Sequence, residues 1–281
     1  MAKRRIWPNN VLDFCAFLFV VTAAIVIFFY EIFVVIPYVH VDKTWLYYLH
    51  YICGTFVVSN ILGNLFGIMV TDTTSGSAIL PSVLKPNWRF CPGCEANSPP
   101  RSFHCNVCKT CVLKRDHHCI FSGCCIGYKN QRFFIGFLFY MMIGCLYATV
   151  LNMFFVWDML GGFTPFSIFA HVLPFIFWIT GYLELGATFA TLFSMLCITG
   201  FGFVASLLAF HLQLLLRNQT TFEKNHGITE YNLGWKENLI QTLGERWYIV
   251  WGFPLLRSPL PGDGIIFMNE EELKLSSTKN R

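Results

Sequence analysis

Charge is scarce in this chain, and cations are missing from a long stretch of it. Only 13% of the 281 residues are Asp, Glu, Lys or Arg, against 55% hydrophobic, and no Lys or Arg stands between Phe133 and Leu216. That balance excludes an ordinary soluble domain and places the chain in a bilayer. Paired charges in the middle of the apolar runs are lacking, which argues against an ion pathway. The first apolar run, Val11 to Ile36, has no small-residue cleavage motif, so it reads as a retained anchor, not a signal peptide. No internal repeat or low-complexity segment is present.

The basic residues that do occur cluster in Met1 to Arg5, in Lys85 to Arg132 and after Arg217, with a formal net charge of +4. The positive-inside rule puts all three clusters on the cytosolic side. Four spans satisfy that parity: Val11 to Ile36, Leu46 to Val70, Phe133 to Trp157 and Leu185 to Leu216. The segment Phe163 to Tyr182 is about long enough to cross, but it carries Pro165, His171, Pro174 and Gly181. A crossing there would strand the basic C-terminal region on the wrong side, so the segment is expected to be an interfacial or re-entrant luminal piece. Asp13 and Glu31 are expected near the headgroups. The tail from Glu270 is polar and is expected to be disordered, and Ser277 to Arg281 is no convincing retrieval signal.

Cysteine is unevenly spread. The stretch Cys91 to Phe134 holds eight of the twelve cysteines and three of the eight histidines, and it lies on the side where disulfides are not expected. It reads Cys91-x2-Cys94, Pro99-Pro100-Arg101, His104-Cys105-x2-Cys108-x2-Cys111, Asp116-His117-His118-Cys119, Cys125, Asn130, Phe134. Repeated Cys pairs two residues apart, interleaved with His, let short turns converge on tetrahedral zinc. Two closed zinc sites need eight ligands and the stretch offers eleven Cys and His side chains. A Cys and a His left over beside an Asp are the minimum for covalent thiol chemistry.

Through these consecutive spacings the stretch resembles the cysteine-rich domain of the DHHC protein S-acyltransferases, or palmitoyltransferases. The resemblance implies an all-α polytopic membrane protein with four transmembrane helices and a cytosolic two-zinc cysteine-rich domain. It implies one zinc on Cys91, Cys94, His104 and Cys111, a second on Cys105, Cys108, His118 and Cys125, and a catalytic set of Asp116, His117 and Cys119, with Cys124 as a spare thiol. Thr220-Thr221-Phe222-Glu223 matches the family's Thr-Thr-x-Glu motif and is equally a capping box. By resemblance Thr221 should lie against Asp116, and Asn238 should be a buried anchor within an amphipathic helix marked by Trp235, Leu239, Leu243 and Trp247. Ile120 and Phe121 stand where most members have Pro-Trp, Ser98 where a basic residue is usual, and Phe103 where a first His often stands.

The implied activity moves a long-chain acyl group from acyl-CoA to cysteines of membrane-associated proteins, with membrane lipid around the site and no nucleic acid involved. Endomembranes, Golgi or endoplasmic reticulum rather than plasma membrane, are the expected location. The organisation expected is 1–70 for the first two spans, 71–132 for the zinc-binding domain, 133–216 for spans three and four, and 217–281 for the C-terminal region. A membrane-anchored zinc-binding adaptor is the alternative, though it leaves Asp116, His117 and Cys119 without a purpose. Arg101, Lys114, Arg115, Lys129 and Arg132 are candidates for attracting the coenzyme A phosphates. Gly136, Tyr140, Gly144 and Ala148 share one face of the third span; the face predicts either close helix packing or the border of an acyl cavity.

Overall fold

The computed structural model describes residues 7–269. Four helices are long and apolar enough to cross a membrane: Val11–Val39, Trp45–Val70, Gln131–Met159 and Leu185–Leu216. The first contains a π-helical turn at Glu31–Val35, between α-helical Val11–Tyr30 and Ile36–Val39. Residues 163–182 form two short helices, Pro165–Val172 and Pro174–Ile179. Thr164 caps the first through a reciprocal bond with Ser167, and Pro174, which has no N–H to continue a helix, opens the second. Neither is long enough to span, so the four-span expectation stands among the described residues.

Between the second and third long helices lie three two-stranded antiparallel hairpins. Arg89–Cys91 (β1) pairs with Ala96–Ser98 (β2), Phe103–Cys105 (β3) with Thr110–Val112 (β4), and His117–Cys119 (β5) with Cys124–Ile126 (β6). The first two turn through Cys-x2-Cys, and the residue after each second Cys, Glu95 and Lys109, takes a left-handed conformation at φ 49° and 53°. The segment after the second long helix is tied on by Leu113 N–H donating to Thr73 O at 3.0 Å. Asp72 makes a local turn there, its Oδ1 accepting from Thr74 N–H at 2.9 Å.

After the fourth long helix come the short helix Thr221–Asn225 and the helix Trp235–Leu243. The periodicity that extended the latter to Trp247 fails at Gly244, which leaves the helix at φ 89° and lies so close to Ser258 that a side chain would not fit. The expected features of Met1 to Arg5 and of the tail from Glu270 lie outside the described residues.

The chain divides into two compact units. The described residues of Met1–Val20, Leu62–Phe137 and Ala209–Arg281 form the first, and Val21–Ile61 with Leu138–Leu208 form the second. The second has an apolar core that includes Ile32, Val35, Ile36, Leu151, Phe155 and Val156. Glu31 is buried in it at 6% exposure, and Asn152 Nδ2 donates to its Oε1. The face carrying Gly144 packs: a Cβ there would lie 3.3 Å from both Ile61 and Val57, and Tyr140 meets Phe56 edge-on at 5.9 Å. In the first unit, a Cβ on Gly136 would lie 2.6 Å from Asn64 Oδ1. The small-residue stripe is therefore a helix-packing face.

Candidate active site and metal-ligand clusters

The hairpins gather the cysteines and histidines into two sets of four. Cys91, Cys94, His104 and Cys111 offer ligand atoms all within 4.8 Å of one another, as do Cys105, Cys108, His118 and Cys125. In the first set His104 Nδ1 lies 3.5 and 3.3 Å from the sulfurs of Cys91 and Cys94. In the second, His118 Nδ1 lies 3.8, 3.3 and 3.8 Å from the sulfurs of Cys105, Cys108 and Cys125. A tetrahedral ion with Zn–S about 2.3 Å and Zn–N about 2.0 Å has ligand-to-ligand edges of about 3.6 Å. Both donor sets fit such an ion in composition and spacing.

Strand alternation then divides the third hairpin into two faces. His118 is paired with Cys125, and both turn toward the second cluster; His117 pairs with Ile126 and Cys119 with Cys124 on the opposite face. His117 Nδ1 meets Asp116 Oδ2 at 2.6 Å, and the same ring is near enough to Cys119 for the two to influence each other's charge. Asp116, 6% exposed, also accepts at Oδ1 from Thr221 N–H at 2.6 Å and from Thr221 Oγ1–H at 3.0 Å. Thr221, Asp116 and His117 thus form a hydrogen-bonded line, with Cys119 beyond its imidazole end and Thr221 holding its carboxylate end.

The electrostatics of this line favour separated charge. Burial alone would push the Cys119 thiol up, but the nearby charge of His117 outweighs it and holds the thiol below its ordinary range. Burial pulls His117 down, yet the Asp116 and Cys119 partners raise it to about 9. Asp116 is held low in spite of burial by His117, His211 and the Thr221 backbone. The arrangement can keep a thiolate beside an imidazolium.

The Thr-Thr-x-Glu segment fills both expected parts at once. Thr220 and Glu223 close a capping box, with Thr220 N–H donating to Glu223 Oε2 at 2.8 Å and Glu223 N–H to Thr220 Oγ1 at 3.3 Å. That box starts the helix whose first residue, Thr221, reaches Asp116. Asn238 is fully buried; its Nδ2 donates to Leu216 O and to Asn232 Oδ1, both at 2.7 Å, and its Oδ1 accepts from Leu233 N–H at 2.9 Å. Asn130 Nδ2 donates to Cys125 O at 2.9 Å and to Ile68 O at 3.3 Å, joining the third hairpin to the end of the second long helix.

Residues 84–227 match the family model described as DHHC palmitoyltransferase. The chain is 37% identical over 227 residues to the mouse protein named "Probable palmitoyltransferase ZDHHC24", covering 77% of each chain. It is 38% identical over 223 residues to the human protein of that name, 78% of each chain. It is 34% identical over 200 residues to human "Palmitoyltransferase ZDHHC15", covering 66% of this chain and 52% of that one. The chain belongs to the DHHC palmitoyltransferase family.

In this family member two of the departures from the usual pattern, Phe103 and Ser98, have structural counterparts. Phe103 packs its ring 4.7 Å from Phe222, beside Thr221, and lies under the Arg89 guanidinium at 4.5 Å. Ser98 Oγ–H donates to Ser102 O at 3.2 Å. Two of the cations named as candidates for attracting phosphates are buried and paired within the protein. Arg101 is 5% exposed, bound to Glu223 and flanked by the rings of Tyr231 and Phe267 at 4.2 and 4.7 Å. Lys114 is 1% exposed, with Nζ–H donating to Thr242 Oγ1 at 3.3 Å. Arg132 donates to Ser258 O at 3.1 Å and Lys129 to Ser77 Oγ at 3.0 Å.

The structure also brings to the site two residues that the motifs did not name. His211, 5% exposed near the end of the fourth long helix, sets Nδ1 3.7 Å from Asp116 Oδ2, and its ring lies 5.4 Å from that of His117. The available signal was a lone imidazole in an otherwise uncharged span. Asp13 is buried at 2% exposure within the protein and meets His118 Nε2 at 2.9 Å.

Proposed function

We propose that this chain is a protein S-acyltransferase in which Cys119 takes a long-chain acyl group from acyl-CoA and passes it to cysteines of membrane-associated proteins. One observation carries the reading: the two four-ligand clusters account for eight donors and leave Cys119 two residues along the same strand from His117, which is itself bonded to Asp116. Family membership supports the same chemistry.

In the first step His117 accepts the Cys119 proton and the thiolate attacks the acyl-CoA thioester carbon. The bond from that carbon to the coenzyme A sulfur breaks, and the departing sulfur takes the proton back from His117. In the second step a substrate thiol gives its proton to His117 and attacks the acyl-Cys119 carbon, returning the thiolate to Cys119. One thioester is exchanged for another at each step, so little driving force is needed. Asp116 keeps the His117 ring oriented and stabilises its charged form. Thr221 fixes Asp116.

Each cluster would hold one structural zinc, since four protein ligands leave no open position, and the ion would contribute rigidity to the hairpins, not chemistry. Placement of the hairpins on the cytosolic face follows from the distribution of Lys and Arg, and an endomembrane location accords with it. Residues 71–132 act on this reading as the zinc-binding unit, 1–70 and 133–216 as the membrane part, and 217–281 as the region that braces the site through Thr221 and Asn238. The acyl chain stays in apolar surroundings, each buried methylene contributing about 0.8 kcal/mol.

Purified protein incubated with radiolabelled palmitoyl-CoA should acquire a hydroxylamine-sensitive label. Cys119→Ser should abolish it while keeping two zinc ions per chain, and Cys124→Ala should retain it. A label that persists in Cys119→Ser but vanishes in the double variant would move the nucleophile to Cys124 and overturn the assignment.

A further inference from the structure

The third hairpin is fixed from one side by something outside the cysteine-rich stretch. His118 turns Nδ1 to the sulfurs of Cys105, Cys108 and Cys125, and its other ring nitrogen, Nε2, meets Asp13 Oδ2 at 2.9 Å. Asp13 lies in the first turn of the first long helix, and both side chains are enclosed, 3% exposed for Asp13 and 11% for His118. The carboxylate is itself held. Asn10 Nδ2–H donates to Asp13 Oδ2 at 2.8 Å, and Asp13 N–H donates to Asn10 Oδ1 at 2.8 Å. The chain just before this turn is close to the same hairpin, since a Cβ on Gly123, which has φ 62°, would lie 2.6 Å from Pro8.

We propose that Asp13 is a positioning residue for the second zinc cluster, accepting the Nε2 proton of His118 and so presenting Nδ1 to the metal in one tautomer and one ring orientation. The proposal rests on the reading that this cluster binds zinc. A carboxylate on the remote nitrogen of a metal-bound imidazole both selects the tautomer and makes the ligand nitrogen more basic, and loss of such a partner costs about 10–100-fold in metal affinity. The position of His118 extends the effect to the reaction. It stands between His117 and Cys119 on β5, so a ring free to rotate would loosen the strand that sets their mutual geometry. The first membrane helix is thereby fastened to the catalytic strand through a single carboxylate. No cysteine or histidine spacing encodes this, because Asp13 is 105 residues from its partner.

The test is the release of zinc from the purified full-length protein in detergent to the chromogenic chelator 4-(2-pyridylazo)resorcinol, followed with time, after elemental analysis has given the zinc content. Two zinc ions per wild-type chain support the cluster reading, and fewer would refute that reading independently of Asp13. With two present, Asp13→Ala should release one ion about 10–100-fold faster and the other at the wild-type rate. Asp13→Asn keeps an oxygen that can accept from Nε2–H without the charge, and should release the same ion at a rate between those of Asp13→Ala and wild type, still measurably faster than wild type; it also serves if Asp13→Ala does not accumulate. Wild-type release of both ions from the Asp13 variants would overturn the proposal. So would equal acceleration of both, which is general loosening of the fold.

Discussion

Arg101 and Glu223, 122 residues apart, form a buried two-pronged ion pair: Nε–H donates to Oε1 at 2.7 Å and Nη2–H to Oε2 at 2.8 Å. Arg101 also donates to Asn218 O at 2.7 Å, and Glu223 caps the helix that carries Thr221 to Asp116. The pair therefore connects the hairpins to the segment that holds Asp116 and, through it, His117.

Removing one partner leaves the other buried and uncompensated, which costs about 3–5 kcal/mol. Arg101→Ala and Glu223→Ala should each lower the unfolding temperature in detergent markedly. Arg101→Lys should recover little, because an ammonium cannot make the parallel bonds or stack between Tyr231 and Phe267 in the same way. Thermal melts of the three variants check this; a lysine variant as stable as wild type would show that the fork geometry is unimportant.

The adjacent histidines should separate cleanly in experiment, because they occupy opposite faces of one strand. His117→Ala should keep the zinc content and lose autoacylation by about 10²-fold or more, the size expected for a positioned general base. His118→Ala should lose one zinc and yield poorly folded protein, structural zinc being worth on the order of 10 kcal/mol. Elemental analysis beside an autoacylation assay distinguishes them, and equal metal content in both would refute the division of roles.

The membrane helices were legible because each is an apolar run bounded by cations or turn residues, and the ligand sets because their spacing is local and repetitive. Asp13 and His211 were not, since each is one polar residue in a helix whose partner lies far along the chain. Asp13 could be placed only by depth in the bilayer, which says nothing about a hairpin more than a hundred residues on. The burial of Arg101 and Lys114 was not legible for a related reason: counting positive charge on one side of a membrane registers the charge but not its burial. Gly144 illustrates the limit of periodicity. Spacing puts it on a face with Gly136 and Ala148, but only Ile61 and Val57 at 3.3 Å show that a neighbouring helix covers it. Thr220 to Glu223 was a case where two readings seemed to compete and both hold, since the capping box is what aims Thr221.

Lys114 predicts a pH dependence. Burial, with Arg101 nearby, pulls its ammonium down to about 7 from an ordinary value of 10.5, against the smaller opposing pull of Glu223 and Asp116. The folded state thus gives up a proton that the unfolded chain keeps, so between pH of about 7 and 10 the unfolded state binds more protons and this residue's contribution to stability rises with pH. Lys114→Met, similar in length and uncharged, should flatten that rise and be relatively most stabilising at the lower end. Melting temperatures of both proteins from pH 6.5 to 9 in one detergent test the sign; a slope unchanged by the substitution would exclude Lys114 as its source.

Glu31 and Asn152 allow a last prediction, made on hydrogen bonds alone. Asn152 Nδ2–H donates to Glu31 Oε1 and, at 2.8 Å, to Ala148 O, while Glu31 Oε2 and Asn152 Oδ1 are both buried without a hydrogen-bond partner. A hydrogen on Oε2 would let Glu31 donate to Asn152 Oδ1, closing a cyclic acid–amide pair that satisfies both atoms. Glutamine has the same shape and carries such a donor permanently, so Glu31→Gln should be at least as stable as wild type. Glu31→Leu removes both functions and leaves the Asn152 oxygen buried without a donor, a loss of about 1–3 kcal/mol. Unfolding of the three proteins in mixed micelles, followed by tryptophan fluorescence, ranks them. If Glu31→Gln falls as far as Glu31→Leu, a charged carboxylate is required at this position and the cyclic pair is not the native arrangement.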